Sequence, residues 1–153
     1  HYKMEEYKRF GRQYCVMMMD IDNFRTFNNE YGHQVGDKVL KSIASSLLDN
    51  TRDSDTVGRW GGEEFLGVFT INHFHEAHGI GEKIRLLVMR SEILHNKERI
   101  YVTCSVGMAV GQPDDTPDSV VRRADEMMYL SKHRGKNFVS ADYIDKNLIN
   151  TGE

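Results

Sequence analysis

Tyr14-Cys15-Val16-Met17-Met18-Met19-Asp20 is apolar from its start until it ends in acid. A run this short, apolar on both faces, is the pattern of a central strand in a sheet. Downstream, residues 22–31 are polar around Phe24 and Phe27, three apart, and read as a short helix or helical turn. Residues 35–48 form an amphipathic helix, because Val35, Val39, Leu40, Ile43, Ala44, Leu47 and Leu48 share one face of a 3.6-residue repeat. Residues 56–60 and 64–71 read as strands joined by Gly61-Gly62; glycine accepts positive φ at little steric cost, so the pair signals a hairpin. Residues 76–94 read as a second long helix with Ala77, Ile80, Ile84, Leu87 and Val88 inward, and residues 100–110 as a strand. Thr116-Pro117 opens a third helix, with Thr116 as N-cap and Pro117 at the first helical position. Val120, Ala124, Met127 and Met128 make its inner face, and it stops near Gly135. Phe138-Val139 begins a last strand, and residues 2–12, with Tyr7 and Phe10 on one face, are the tail of an opening helix. The order is βαββαβ plus an added helix and strand. The expected fold class is therefore α+β, with a central, mainly antiparallel sheet of ferredoxin-like topology and flanking helices packed mainly on one side.

A chain of 153 residues with 39% apolar and 28% charged side chains can bury a core of its own. A net charge of −3 gives no broad basic face for polymeric nucleic acid, although a few placed cations suffice for a small phosphorylated ligand. Cys15 and Cys104 lie far apart in apolar runs and form no C-x-x-C pair. They read as buried free thiols in a reducing compartment, not as a zinc knuckle or disulfide framework. No apolar run approaches the ~20 residues needed to span a bilayer, and no signal-peptide pattern is present. Without repeats, low-complexity stretches or Pro/Gly-rich linkers, residues 1–153 read as one domain. Its opening at His1 suggests a fragment cut from a larger multidomain protein.

Carboxylates stand where folding alone does not ask for them. Asp20 closes the apolar strand, Asp22 follows it, and Glu63-Glu64 lead from Gly61-Gly62 straight into Phe65-Leu66. If the two strands are neighbours, Asp20 and Glu63 converge at one end of the sheet. Clustered carboxylates repel unless a cation sits between them, and hard oxygen ligands suit Mg²⁺ completed by water and phosphates. Paired ions ~3.5–4 Å apart clamp an in-line displacement at phosphorus. Taken singly, an acid at a strand end is more often a solvated turn. The residues themselves point to a magnesium–phosphate site and no further.

Gly61-Gly62-Glu63-Glu64-Phe65 resembles the signature of the GGDEF family in its GGEEF form, with Arg59-Trp60 where the family has Arg-Tyr. Asp20-Ile21-Asp22-Asn23-Phe24-Arg25, Asn28, Tyr31-Gly32-His33 and Gly36-Asp37 resemble its D-I-D-x-F-K-x-x-N…Y-G-H-x-x-G-D block. Thr103-Cys104-Ser105-Val106-Gly107 resembles the T-x-S-x-G strand. Arg123-Ala124-Asp125, Tyr129 and Ser131-Lys132-His133-Arg134-Gly135-Lys136-Asn137 resemble R-A-D…Y-x-A-K-x-x-G-R-N. The blocks follow in family order and cover nearly the whole chain.

The resemblance implies a nucleotidyl-cyclase or palm-type fold and a diguanylate cyclase, which joins two GTP into cyclic di-GMP and releases two pyrophosphates. It implies Asp20, Glu63 and the backbone carbonyl of Ile21 as ligands of Mg²⁺ or Mn²⁺, two ions per site. Glu63 is also implied as the base that deprotonates the ribose 3′-hydroxyl. Asn28 and Asp37 would read the guanine edge, whose N1–H and N2 amino group need acceptors. Asp37 also stands near a helix start, where an N-cap is the alternative. Phe24, Arg25, Lys132 and Lys136 would meet the β- and γ-phosphates and offset charge on the leaving pyrophosphate. Since each domain would hold one GTP, turnover implies a homodimer with the two sites facing. Arg25 stands in place of the family's usual lysine and Lys136 in place of its arginine. The family's opening D-x-L-T-G-L-x-N-R segment, at the junction with upstream sensory or regulatory domains, is missing.

Arg52-Asp53-Ser54-Asp55 carries R-x-x-D at the spacing of the family's product-inhibition site. Arg52 would fork onto a product phosphate or a guanine Hoogsteen edge, and Asp55 would accept from guanine nitrogens. Lys83 or Arg85 from the next helix would complete the site. His73, His75 and His78 have no fourth partner and read as solvated surface, and Met17, Met18 and Met19 as adaptable core filling. Two rivals share these motifs: a catalytically silent domain that senses cyclic di-GMP or GTP, and a cyclase of other dinucleotide specificity. A GTP-consuming domain is expected in the cytoplasm, whether or not its parent is anchored in a membrane.

Overall fold

The computed structural model describes residues 12–145. All but the last residue of the opening helix expected over residues 2–12 lies outside them. The central strand β1 is Tyr14–Ile21, followed by helices α1 (Phe24–Tyr31) and α2 (His33–Asp49). Strands β2 (Thr56–Gly61) and β3 (Glu64–Thr70) form the hairpin around Gly62-Glu63, and α3 is Glu76–Met89. Two short strands, β4 (Ile93–His95) and β5 (Glu98–Ile100), precede β6 (Cys104–Val110). Helix α4 (Pro117–His133) and strand β7 (Phe138–Ala141) complete the order.

Five strands make one sheet in the order β2-β3-β1-β6-β7. β1 pairs antiparallel with β3 and β6, β2 antiparallel with β3, and β7 joins β6 in parallel. This is the mainly antiparallel α+β sheet expected from the element order. Every residue of β1 is buried, because helices cover both faces. Cys15, Met17, Met19 and Ile21 pack with Phe24 and Phe27 of α1, Val39 and Ile43 of α2, and Ala77 and Ile84 of α3. Tyr14, Val16 and Met18 pack on the other face with Val120, Ala124 and Met128 of α4. The helices of the βαββαβ core thus share one side, and the added helix closes the opposite one.

α4 begins as its sequence dictates. Thr116 Oγ1 accepts from the Ser119 amide at 3.1 Å, and Ser119 Oγ accepts from the Thr116 amide at 2.9 Å, with proline in the first turn. Its backbone lies directly on β6 at Gly107, where a Cβ would fall 2.1 Å from both the Ala124 carbonyl oxygen and the Met128 nitrogen.

Three expectations need correction. The helix read over residues 76–94 stops at Met89, and the strand read over 100–110 begins at Cys104. Between them β4 and β5 form a separate hairpin whose turn residues, Asn96 and Lys97, have φ of 50° and 67°. Two left-handed residues in a row make the mirror-image hairpin turn, which Asn-Gly announces and Asn-Lys does not. Leu48, assigned to the inner face of α2, is 62% exposed.

Candidate active site

Asp20 sits at the C-terminal end of β1, opposite Glu64 of β3 in the ladder. One residue on, the Ile21 amide donates to the Glu63 carbonyl at 3.2 Å, which ties the hairpin turn to the strand end. The turn has Gly62 at φ 47°, a left-handed value that suits glycine. Arg59 braces it, donating to the Gly62 carbonyl from Nε at 3.2 Å and from Nη2 at 2.5 Å. The sequence expectation that these two strands are neighbours is met, and Glu63 comes near enough for its charge to act on Asp20.

Electrostatics at this end are strained by like charge. Burial pushes the Asp20 carboxyl above its usual range; Lys132 pulls the other way, while Glu63 and Asp22 push further up. Glu64 is raised as well, first by burial and then by Asp20 and Asp125. Lys132, from the last turn of α4, donates to Asp20 Oδ2. Asp20 is 6% exposed, and its Oδ1 is buried with no hydrogen-bond partner. A buried carboxylate oxygen without a donor fits a cation ligand. Among the described residues no three histidine, cysteine or carboxylate side chains group together as a ready-made cage. Magnesium held by one or two carboxylates and substrate phosphates does not require one. The residues present therefore fit the metal.

Behind the acids lies the junction of α1 and α2. Phe24 is buried and stacks on Phe27 at 6.0 Å between ring centroids, so its side chain belongs to the core and its backbone starts α1. Asn28 Oδ1 is buried with no hydrogen-bond partner and lies against Gly36, where a Cβ would come within 1.9 Å of it. Asp37, next in the chain, is exposed and is the fifth residue of α2; the cap position is Gly32, and no side chain caps it. The N-cap alternative for Asp37 is thereby removed. Arg25 is exposed on α1. Lys136 Nζ donates to Asn23 Oδ1 at 2.5 Å, at the loop between β1 and α1.

Asp22 received no role from its sequence position. It is buried and accepts from Thr103 Oγ1 at 2.7 Å, Ser105 Oγ at 2.6 Å and the Asn137 amide at 2.9 Å. The available signal was Thr103 and Ser105 two apart on one strand approach, a period that puts both hydroxyls on one side.

A second cluster forms at the other end of β3, between α2 and α3. Arg52, Asp55 and Lys83 line one cavity of about 490 Å³, floored by Leu47, Phe69 and Ile80. Arg52 reaches Asp55 through Nε at 3.1 Å and Nη2 at 3.4 Å, and donates from Nη2 to the Thr70 carbonyl at 2.7 Å. Asp55 is anchored by the Thr70 amide at 3.1 Å, and its side chain is 4% exposed against 63% for Arg52. Lys83 Nζ donates to the Asn50 carbonyl at 3.2 Å. Arg85 turns elsewhere, to Glu82 at 2.8 Å and Asn137 at 2.9 Å, and leaves the cavity to Lys83. His73 and His75 stack on each other at 5.3 Å on the surface. Met17, Met18 and Met19 are core, and Cys15 and Cys104 are buried free thiols whose pKa burial raises.

The molecule is an α+β domain whose five-stranded sheet carries acid at the end of its central strand and in the adjoining hairpin turn. The family model described as "Diguanylate cyclase, GGDEF domain" matches residues 2–138, and the chain belongs to that family. It is 39% identical over 136 residues to diguanylate cyclase DgcZ of Escherichia coli (strain K12), a stretch covering 88% of this chain and 45% of that protein. It is 37% identical over 132 residues to the response regulator PleD of Caulobacter vibrioides, covering 84% of this chain and 29% of that one. The crystal structure of the GGDEF domain of DgcB from Caulobacter crescentus in complex with c-di-GMP aligns with a TM-score of 0.84 at 32% identity. That alignment covers 92% of this chain and 81% of the other. The chain spans less than half the length of these two curated relatives.

Proposed function

We propose that this domain is a diguanylate cyclase, converting two GTP into cyclic di-GMP and two pyrophosphates. The observation that carries the reading is the meeting of Asp20 and Glu63 at one end of the sheet, with a buried, unpartnered oxygen on Asp20 and Lys132 beside it. Asp20, Glu63 and the Ile21 carbonyl would hold Mg²⁺ or Mn²⁺, two ions per site, and bound metal would supply charge neutralisation at the phosphates and a more acidic attacking hydroxyl.

The chain's own residues do the rest. Glu63 takes the proton of the ribose 3′-hydroxyl; the 3′-oxygen bonds to the α-phosphorus of the other GTP, and the bond from that phosphorus to pyrophosphate breaks. Lys132, Lys136 and Arg25 bring positive charge to the departing pyrophosphate. The start of α1 at Phe24, which no side chain caps, turns backbone N–H groups toward the β- and γ-phosphates. Asn28 and Asp37 accept from the guanine N1–H and N2 amino group. One GTP per domain and two mutual attacks per product call for two copies facing each other, site to site.

The cavity of Arg52, Asp55 and Lys83 is proposed as a product-inhibition site, supported by the guanidinium and carboxylate held side by side at its rim. The description of DgcB's GGDEF domain as a complex with c-di-GMP is consistent with product binding to domains of this kind. Arg52→Ala is expected to raise the cyclic di-GMP concentration for half-inhibition at least tenfold, roughly the loss of one charge-assisted pair. Initial rates at fixed GTP and rising product check this, and an unchanged inhibition curve would contradict it.

Residues 1–153 are proposed to be the GGDEF portion of a longer protein with an upstream sensory or regulatory domain, as PleD's description as a response regulator suggests. Among the described residues no helix is long and apolar enough to cross a membrane. The cytoplasm, where GTP is made and used, is the proposed location. The deciding experiment incubates the domain with GTP, ATP and Mg²⁺ and resolves the products. Cyclic di-GMP from GTP alone is expected. Tight nucleotide binding without turnover would make the domain a sensor, and a mixed dinucleotide would reassign its specificity.

A further inference from the structure

We infer that Asp22 is a positioning residue that holds the loop after α4, and through it Lys136, in place; this rests on the reading of Lys136 as a phosphate contact. The chain leaves α4 through three successive left-handed residues, Gly135 (φ 108°), Lys136 (φ 64°) and Asn137 (φ 47°). Two of these are not glycine, and such a run persists only where neighbours over-determine it. Asp22 supplies a fixed point: its Oδ2 accepts from the Asn137 amide at 2.9 Å. Asp22 is in turn immobilised by Thr103 Oγ1 at 2.7 Å, Ser105 Oγ at 2.6 Å and a bond from its own amide to the Thr103 carbonyl at 2.9 Å. Asn23, the next residue, receives Lys136 Nζ at 2.5 Å. The dipeptide between β1 and α1 therefore grips the loop twice, once by its backbone and once by its lysine.

The three donors on Asp22 are all uncharged, and they occupy both of its oxygens. Its place in Asp20-Ile21-Asp22 suggests a further metal ligand, but the carboxylate is spent on the loop and on β6. Hydrogen bonds to a charged acceptor are roughly twice as strong as neutral ones. In Asp22→Asn the amide can keep its oxygen on the Asn137 amide by turning its NH₂ toward Ser105 Oγ, which can accept. The packing survives while the bond that fixes the loop loses its charge.

The test is a double-mutant cycle read by calorimetric binding of a non-hydrolysable GTP analogue with Mg²⁺, with thermal unfolding alongside. Asp22→Asn is expected to weaken binding about tenfold and to raise the KM for GTP more than it lowers kcat. In a Lys136→Ala background the same change is expected to cost less than about twofold, because the residue it positions is gone. Equal losses in both backgrounds, or no loss in a folded Asp22→Asn, would overturn the positioning role and leave the phosphate reading of Lys136 standing. Unchanged binding in Lys136→Ala alone would remove both. If Asp22→Asn does not fold, Thr103→Val deletes one donor and keeps the carboxylate, and the same cycle applies with a smaller loss.

Discussion

If Glu63 is the proposed base and metal ligand, Glu63→Gln is expected to lower kcat for cyclic di-GMP formation by about 10³-fold or more, since a general base alone is worth about 10²–10⁴. The fold should not suffer. Glu63 supports the hairpin through its backbone carbonyl, which receives the Ile21 amide, and the turn is braced by Arg59 on the Gly62 carbonyl. Neither bond uses the carboxylate. Glu63 also helps to raise the Asp20 carboxyl, so removing its charge relieves repulsion and moves Asp20 back toward its ordinary value. Initial rates with GTP and Mg²⁺, beside a thermal melt, separate the two effects. The expected pattern is lost turnover at an equal or slightly higher melting temperature. Activity within tenfold of the parent would remove Glu63 from the chemistry.

Gly107→Ala is expected to destabilise the domain by about 3 kcal/mol or more, at the upper end for an overpacked core. The added Cβ would meet the Ala124 carbonyl oxygen and the Met128 nitrogen, each at 2.1 Å. These are backbone atoms in the middle of α4, so no rotamer change clears the clash and the helix must lift from β6. Lifting α4 unpacks Val120, Ala124 and Met128 from Val16 and Met18. It also moves Lys132, which reaches Asp20 from the helix's last turn. At ~2–4 °C per kcal/mol for a domain of this size, the melting temperature should fall on the order of 10 °C. A melt within a degree or two of the parent would mean that α4 does not lie against this strand.

What was legible in the chain was whatever one stretch of residues specifies locally. Tyr14–Ile21 is a central strand because it is apolar on both faces, and both faces are covered. Thr116-Pro117 starts α4 because cap and φ preference agree, and Gly62 turns the hairpin with its positive φ, although Gly61 still belongs to β2 and the turn is Gly62-Glu63. The Asn96-Lys97 turn was missed because lysine does not announce a left-handed conformation, and so one helix was read too long and one strand too early. Leu48 was placed inward by periodicity at the point where α2 runs out of partners. The choice between Lys83 and Arg85 depends on which way two neighbouring side chains leave one helix, and only the Glu82 and Asn137 contacts of Arg85 decide it. Asp22 was read as one more acid of a motif; its three donors come from segments more than eighty residues away, beyond any local pattern.

In the proposed site Asp20 and Glu63 share a divalent cation with a bound triphosphate. Electron paramagnetic resonance of Mn²⁺, titrated into the domain with a non-hydrolysable GTP analogue, tests it most directly. Protein-bound Mn²⁺ is expected in the ternary complex, with affinity lowered at least tenfold by Asp20→Asn and by Glu63→Gln, each removing one proposed carboxylate ligand. Mn²⁺ affinity that both variants leave unchanged would contradict it.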